Sequence, residues 1–392
     1  EFVRLGHQVA LVYFAEDGKD RTQTIAVDDK ELLIYHISGK EFLKSALYNH
    51  KLYELCEEYD ISVLFPNNSE EYHTFQKSSN LQYTAIGKKA LSKMAKWLNL
   101  CRCIRYVNRH LGNADLVISD PIFCLLIPFI KNKKRIYRFI QADDYRIFDD
   151  GAILGKGLLL GLYKTLCLRV YRQHVGYLFN SQYVYDRFCQ DSKRTDVPLM
   201  KVYPAVNHLI FNPKNKDKGH GGISICLVAR KHPLKGLQTF IDAYHKLPLE
   251  IEDRIASVTL ISHDDLSGYD TAGMRIVKPA SDYDIATAYS SSDIFISTSW
   301  WEGFGLPPLE AMACGCAVIC SNSGGVNEFV VTGENCLTFE PKDEDALIKA
   351  IMRLANDEAL RKSLALHGVE TAEKFRWEES AKQMLSVINQ SI

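Results

Sequence analysis

Hydrophobic positions along the chain fall into two alternating patterns, short continuous runs and longer stretches with helical spacing. In the first half the runs Gln8–Phe14, Leu33–Ile37, Ile61–Phe65, Leu116–Ser119, Arg135–Ile140 and Val175–Asn180 read as strands. Helical periodicity is expected over residues 41–58, 88–111, 153–172 and 181–190. Continuous apolar strands that alternate with helices argue for a parallel sheet covered on both faces.

A polar stretch rich in Pro, Lys, Asn and Gly, residues 211–222, reads as a linker. A second alternating half follows. Its expected strands are Ile223–Val228, Ser257–Ser262, Arg275–Lys278, Ile294–Ser297 and Ala317–Cys320. Its expected helices are Gly236–Lys246, Asp284–Ser290, Pro307–Cys314, Asp343–Asn356, Glu358–Lys374 and a closing amphipathic helix from Trp377 to Gln390. The pattern predicts an α/β protein of two doubly wound, Rossmann-like domains, residues 1–210 and 223–375, facing each other across a cleft. The last segment, 376–392, is expected to cross back to the first domain.

Composition narrows the picture in a few respects. The 392 residues are 46% hydrophobic and 24% charged, with a formal net charge of −1, so no global field favours nucleic acid as a partner. Eleven cysteines scattered through strands and helices, without metal-ligand spacing, read as reduced buried thiols of a reducing, cytoplasmic compartment. No run reaches the length of apolar sequence a membrane span requires. The opening Glu1-Phe2-Val3-Arg4-Leu5-Gly6-His7 resembles a helix end, so a first strand and loop are expected to precede it.

Candidate chemistry concentrates at two strand-to-helix turns. The strand ending at Ser297 is followed by Trp301-Glu302-Gly303-Phe304-Gly305-Leu306-Pro307-Pro308-Leu309-Glu310. Proline suits a first helical turn, and such a helix end offers backbone N–H groups and a positive dipole to a diphosphate. Glu302 on the loop and Glu310 one turn into the helix suit the paired hydroxyls of a sugar or ribose, or else a solvated carboxylate and a helix-dipole partner. The strand Ile223–Val228 leads into Ala229-Arg230-Lys231-His232-Pro233-Leu234-Lys235-Gly236, where Arg230 and Lys235 could neutralise a leaving diphosphate or be ordinary solvated bases.

Together these residues resemble glycosyltransferase family 4, whose members have the GT-B fold and retain anomeric configuration. The resemblance rests on Arg230, Lys235-Gly236, the Glu302 to Glu310 element with its Gly303-Phe304-Gly305-Leu306-Pro307 centre, Ala311-Met312-Ala313-Cys314-Gly315, and Gly324-Gly325. It is dense over residues 223–378 and looser before them. It implies that Arg230 and Lys235 hold the donor diphosphate and stabilise it as leaving group. Glu302 would contact the donor sugar, Gly305 and Leu306 the distal phosphate, Glu310 the ribose, and Ile276, Val277 and Lys278 the base. Gly303 and Phe304 belong to the same donor loop. Attack from the front face would need no enzymic nucleophile, the departing phosphate helping to deprotonate the acceptor. The co-substrate is expected to be a nucleoside-diphosphate sugar, most often a UDP sugar in this family, with no other cofactor and no metal. The acceptor is expected to be a glycan, a lipid-linked sugar or a small molecule, met by the first domain.

The sequence departs from the family pattern at three points. The family's glycine-rich loop after the first strand is expected before Glu1. A histidine after a first-domain strand is replaced by Gln141, so Gln141 or Asp143 would make that sugar contact. Ala317 stands where the family commonly has proline.

Other signals suit simpler roles. Asp282-Tyr283-Asp284 and Asp343-Glu344-Asp345 precede helices, where Asp is a preferred cap. His263-Asp264-Asp265 reads as a surface loop. Residues 88–111 carry seven Lys and Arg and no acid, with apolar residues at helical spacing. Such a helix can pack one face on a sheet or contact an anionic membrane peripherally. Competing functions are a GT-B epimerase or phosphorylase, and a non-catalytic glycosyltransferase-like scaffold.

Overall fold

The computed structural model describes residues 9–15, 21–27, 30–38, 108, 116–118, 127–131, 136–142, 165, 168–215 and 221–390. The expected elements at 41–58 and 61–65, most of 88–111 and of 153–172, and Asp143 lie outside them. By contact the chain divides into two compact units, residues 1–116 with 120–136, and residues 117–119 with 137–392.

In the first unit, β1 (Val9–Ala15) pairs in parallel with β3 (Lys30–Ser38), from Val9 opposite Leu32 to Ala15 opposite Ser38. Between them in sequence lies β2 (Arg21–Val27), which pairs antiparallel with β3, from Arg21 opposite His36 to Val27 opposite Lys30. The all-parallel expectation for this half is therefore corrected. Only Asp28 and Asp29 separate β2 from β3, and so short a link permits a hairpin but no crossover.

The second unit contains a three-stranded sheet of order β4 (Leu116–Ile118), β5 (Ile136–Ile140) and β6 (Gly176–Phe179). Helix α1 (Gln182–Ser192) follows β6 and packs Val184 and Phe188 beneath Tyr177 and Phe179. The larger sheet holds β7 (Ile223–Val228), β8 (Ile255–Ile261), β9 (Arg275–Val277), β10 (Ile294–Ser297), β11 (Ala317–Ser321) and β12 (Leu337–Phe339). Their spatial order is β12-β11-β10-β7-β8-β9, and every pairing within it is parallel. Helices α2 (Leu237–His245), α3 (Leu249–Glu252), α4 (Asp282–Ser290), α5 (Leu306–Ala313), α6 (Glu344–Asn356), α7 (Glu358–Ala372) and α8 (Trp377–Gln390) complete the unit.

Burial explains why the central strands read as unbroken apolar runs. Every residue of β11 is buried, as are Ile294, Phe295 and Ile296 of β10, because helices cover both faces. One face carries Phe240 and Ile241 of α2 with Leu347, Ile351 and Leu354 of α6. The other carries Leu309 and Met312 of α5 with Tyr289 of α4.

Asp343 is the cap expected before its helix, whereas Ser281 caps α4, with Asp284 inside the helix completing a capping box. Asp284 Oδ2 accepts hydrogen bonds from the backbone N–H groups of Ala280 at 2.7 Å and Ser281 at 3.1 Å. Asp343 Oδ1 accepts from the Ala346 amide at 2.9 Å. Asp343 thus satisfies a first-turn donor, whereas Asp284 reaches back to the amides at and just before the cap.

The closing helix packs on strands of the first half, as expected. The Tyr137 hydroxyl of β5 donates to the Ile388 carbonyl at 3.2 Å, and Ser380 Oγ donates to the Tyr203 carbonyl at 2.5 Å. Ile388 is buried with Tyr137, Leu178 and Val202. The contact boundary accordingly falls before residue 137 and not at 211–222. Phe211, at the start of that polar stretch, is buried with its ring 6.1 Å from Tyr289, and Pro213–Asn215 form a 3-10 turn.

Candidate active site

Strand order creates one natural ligand position. From β7 the chain builds outward through β8 and β9 on one side and through β10, β11 and β12 on the other. The carboxyl ends of β7 and β10 therefore flank a topological switch point, where crossovers diverge and leave a crevice. The two chemistry-bearing turns of the sequence leave from these two strands.

The turn after β7 has a rigid local cause. His232 Nδ1 accepts from the Leu234 amide at 3.4 Å, Pro233–Lys235 form one 3-10 turn, and Gly236 closes it at φ 63°. Glycine is required twice over at 236. The left-handed conformation disfavours a side chain, and a Cβ there would lie 2.1 Å from the Thr298 carbonyl oxygen. The neighbouring turn binds this one directly. Trp300 N–H donates to the Leu234 carbonyl at 2.7 Å, and Thr298 Oγ1 donates to the Lys235 carbonyl at 3.0 Å.

This stitching brings Lys235 to Glu302. The ammonium lies 2.5 Å from Glu302 Oε1, which also accepts from Ser299 Oγ at 2.7 Å. Both donors converge on Oε1, so Oε2 has no protein donor among the described residues. The Glu302 side chain is 17% exposed and Lys235 38%, so the pair is partly desolvated but open to a ligand. The backbone of Glu302 is clamped as well: its N–H donates to Ser323 O at 2.8 Å, and Gly325 N–H donates to its carbonyl at 3.0 Å. Glu302 thus forms a bridge with Gly324 and is not simply a loop residue.

Arg230, also at the β7 exit, places Nε 3.3 Å from Asp264 Oδ2. That carboxylate accepts the Lys231 amide at 2.7 Å, so Asp264 is an anchor for the cationic turn and not a bare surface-loop acid. Arg230 remains 44% exposed.

The donor loop then divides between packing and presentation. Gly303 lies against the chain after β5, where a Cβ would meet the Gln141 carbonyl oxygen at 1.9 Å. Its own carbonyl accepts from Ser181 Oγ at 2.6 Å. Phe304, read with the donor-binding loop, is a core residue. It is buried with its ring 5.4 Å from Phe329, 5.7 Å from Phe375 and 6.0 Å from Tyr203. That aromatic cluster anchors the loop. Gly305 caps α5 at φ 94° with no side-chain cap. Pro307 and Pro308 lack N–H groups, so Gly305 and Leu306 carry the amides at this helix end that have no intrahelical acceptor. Glu310 is half-buried on α5.

Ile276, Val277 and Lys278 lie on or just after β9, the edge strand, and Ile276 is 49% exposed. Gln141 does reach the loop, by its backbone carbonyl, which also accepts from Asn180 Nδ2 at 2.6 Å.

Sequence reading missed Ser299, Asp264, Ser323 and Lys342. Lys342 places its ammonium 3.6 Å from the centre of the Trp300 ring. Asp264 and Lys342 lie far along the chain from their partners and had no local signal. The small residues Ser297-Thr298-Ser299 at a strand end did offer one.

Among the described residues no group of three or more His, Cys, Asp or Glu is arranged to hold a metal ion, and no helix is long and apolar enough to cross a membrane. Described cysteines are free thiols, with Cys226, Cys314, Cys316, Cys320 and Cys336 buried.

Comparison with known proteins bears on the fold and the family. Residues 271–370 match the family model described as glycosyl transferases group 1. O-antigen chain mannosyltransferase B of Escherichia coli is 31% identical over 168 residues, covering 41% of this chain and 44% of that protein. The chain thus matches less than half the length of this relative. Among solved structures, Anabaena HepE in complex with UDP-glucose matches with a TM-score of 0.64 at 15% identity, over 98% of this chain and all of that one. Sucrose-phosphate synthase of Thermosynechococcus elongatus matches with a TM-score of 0.63 at 18% identity, over 79% of this chain and 81% of that one. The chain therefore has the α/β GT-B fold and, over residues 271–370, which include the Glu302 to Glu310 segment, the sequence signature of the glycosyl transferases group 1 family.

Proposed function

We propose that this chain is a retaining glycosyltransferase that moves a sugar from a nucleoside-diphosphate sugar, a UDP sugar foremost, to a hydroxyl acceptor in glycan, polysaccharide or glycolipid synthesis. The observation that carries the reading is the Lys235–Glu302 pair at the switch point, 2.5 Å apart and flanked by the amino end of α5. A cation there stabilises the charge that develops on a departing diphosphate, and it acts best where water is partly excluded. Lys235 would be shared between Glu302 and the phosphate. Arg230, held by Asp264, would supply the second cation. Oε2 of Glu302 would accept a hydrogen bond from a donor-sugar hydroxyl, the Gly305 and Leu306 amides would donate to the distal phosphate, and Glu310 would accept from the ribose hydroxyls. Two side-chain cations take the role a divalent metal plays elsewhere, so the transfer is proposed to be metal-independent. The departing phosphate would help deprotonate the acceptor, with no covalent glycosyl-enzyme.

The relatives' names support transfer of sugars in glycan synthesis, and the mannosyltransferase likeness puts mannosyl donors among those to test. The test pairs Lys235→Ala with Glu302→Gln, each expected to abolish transfer while the thermal transition persists. Turnover like wild type in both would overturn the site. A thermal-shift panel of UDP, GDP, ADP and TDP sugars ranks donors, since stabilisation grows with the logarithm of ligand over Kd. Product analysis with donor alone separates transfer from epimerisation or phosphorolysis.

A further inference from the structure

Behind the donor loop lies a buried acid that the proposed chemistry does not use. Glu328 ends the 3-10 turn Gly325–Glu328, and its side chain is only 8% exposed. Three donors converge on it. The backbone N–H of Gln182 donates to Oε1 at 2.5 Å, the Tyr203 hydroxyl to Oε2 at 2.7 Å, and Lys201 Nζ to Oε2 at 3.1 Å. Gln182 is the first residue of α1, so the carboxylate caps the positive end of a helix distant in sequence. A carboxylate this buried keeps one orientation, because moving it would strand several polar groups from water.

The same helix end grips the donor loop a second time. Ser181, the cap of α1, accepts from the Val184 amide at 3.1 Å and donates to the Gly303 carbonyl at 2.6 Å. From Glu328 the chain runs back over only a few residues to Gly325 and Ser323, the partners of both backbone groups of Glu302. Packing along that path leaves no slack. A Cβ at Gly325 would sit 2.2 Å from the Gly303 carbonyl oxygen, and one at Gly324 2.5 Å from the Tyr183 ring. Displacement of residues 325–328 is therefore transmitted to Glu302.

We propose that Glu328 is a positioning residue for Glu302. By docking residues 323–328 on the amino end of α1 it sets where the Glu302 carboxylate stands against Lys235. The catalytic part of this inference rests on the transfer reaction proposed above, whereas the structural part does not. Tyr203 serves as a donor in the cluster because burial, opposed by Lys201 and aided by Glu328, raises its pKa and keeps the hydroxyl protonated.

The test uses the full chain with Glu328→Gln, which keeps shape and removes charge, Tyr203→Phe, which removes one donor, and Glu328→Asp as conservative rescue. Ile351→Val in the distant core serves as a control for lost stability alone. Hydrogen exchange reads the Glu302 and Gly325 amides, which the clamp protects. Turnover reads UDP release from UDP-glucose with water as acceptor. Glu328→Gln is expected to speed exchange at both amides about tenfold and to lower kcat about tenfold, with KM changed less than about twofold. Tyr203→Phe should have a smaller effect in the same sense, and Glu328→Asp should recover part of kcat. Exchange at Glu302 and Gly325 no faster than in Ile351→Val would overturn the positioning role, and so would kcat and KM that follow that control. A wild-type chain that neither binds nor turns over any nucleotide sugar of the panel, UDP-glucose included, counts against the functional reading, and the exchange comparison then decides the positioning role alone.

Discussion

Replacing Gly303 with alanine probes how tightly the donor loop is held. The added Cβ would stand 1.9 Å from the Gln141 carbonyl oxygen and 3.0 Å from Ala142 Cα, both backbone, so no flexible side chain can turn away. To reach ordinary contact at 3.4 Å, one segment must retreat by about 1.5 Å. Either retreat lengthens the Ser181 to Gly303 or the Asn180 to Gln141 hydrogen bond, each now 2.6 Å. Each such bond contributes about 1 kcal/mol net, and overpacking costs about 1–3 kcal/mol, so a loss of roughly 2–3 kcal/mol is expected. For a unit of this size that lowers Tm by about 5–10 °C, readable by calorimetry. Glu302 is the next residue, and a displacement of about 1 Å in a site that depends on orientation costs about a hundredfold in turnover. Gly268→Ala is the matched comparison, since nothing lies within 4 Å of its Cβ position. It should be neutral, or stabilising by up to about 1 kcal/mol through the unfolded chain. If Gly303→Ala melts and turns over like Gly268→Ala, the close-approach reasoning is wrong.

Three further outcomes are expected. Asp284→Ala removes the acceptor for the Ala280 and Ser281 amides and should destabilise α4 by about 1 kcal/mol in denaturant titrations. The Arg194 guanidinium beside Asp196 holds its carboxyl down at about 2, so its NMR titration midpoint should lie there and return toward the ordinary value in Arg194→Gln. Because the folded pKa is depressed, the stabilisation is present at neutral pH and is lost as pH falls from about 4 through about 2. Alkylation mapped by mass spectrometry should reach half-exposed Cys189 before the buried Cys226, Cys314, Cys316, Cys320 and Cys336 in native protein. Burial raises the Cys336 thiol well above its ordinary pKa, so thiolate formation there should require unfolding. Rapid native labelling of Cys336 would contradict its placement.

Much of the second unit is legible because its signals are local. Nearly unbroken apolar runs mark β7, β10 and β11 to within a residue, since a strand covered on both faces has few polar positions to interrupt it. Asp284 and Asp343 mark helix starts because capping is a contact between near neighbours. The Glu302 to Glu310 segment is recognisable for the same reason: strand, glycine loop and proline-opened helix are consecutive in sequence.

What the tertiary structure alone decided is which distant segments meet. No periodicity reveals that β7 and β10 are neighbours, yet that adjacency carries Lys235 onto Glu302 across 67 positions of sequence. Phe304 reads as part of a binding motif, and only the cluster formed with Tyr203, Phe329 and Phe375 turns its ring into the core. The hairpin of β2 with β3 likewise depends on pairing direction, which apolar character does not encode. Local sequence determines elements, caps and turn chemistry, because those forces act within a few residues. Strand order, the Asp264 anchor of Arg230 and the grip of Glu328 on α1 arise from packing and charge between segments far apart in the chain.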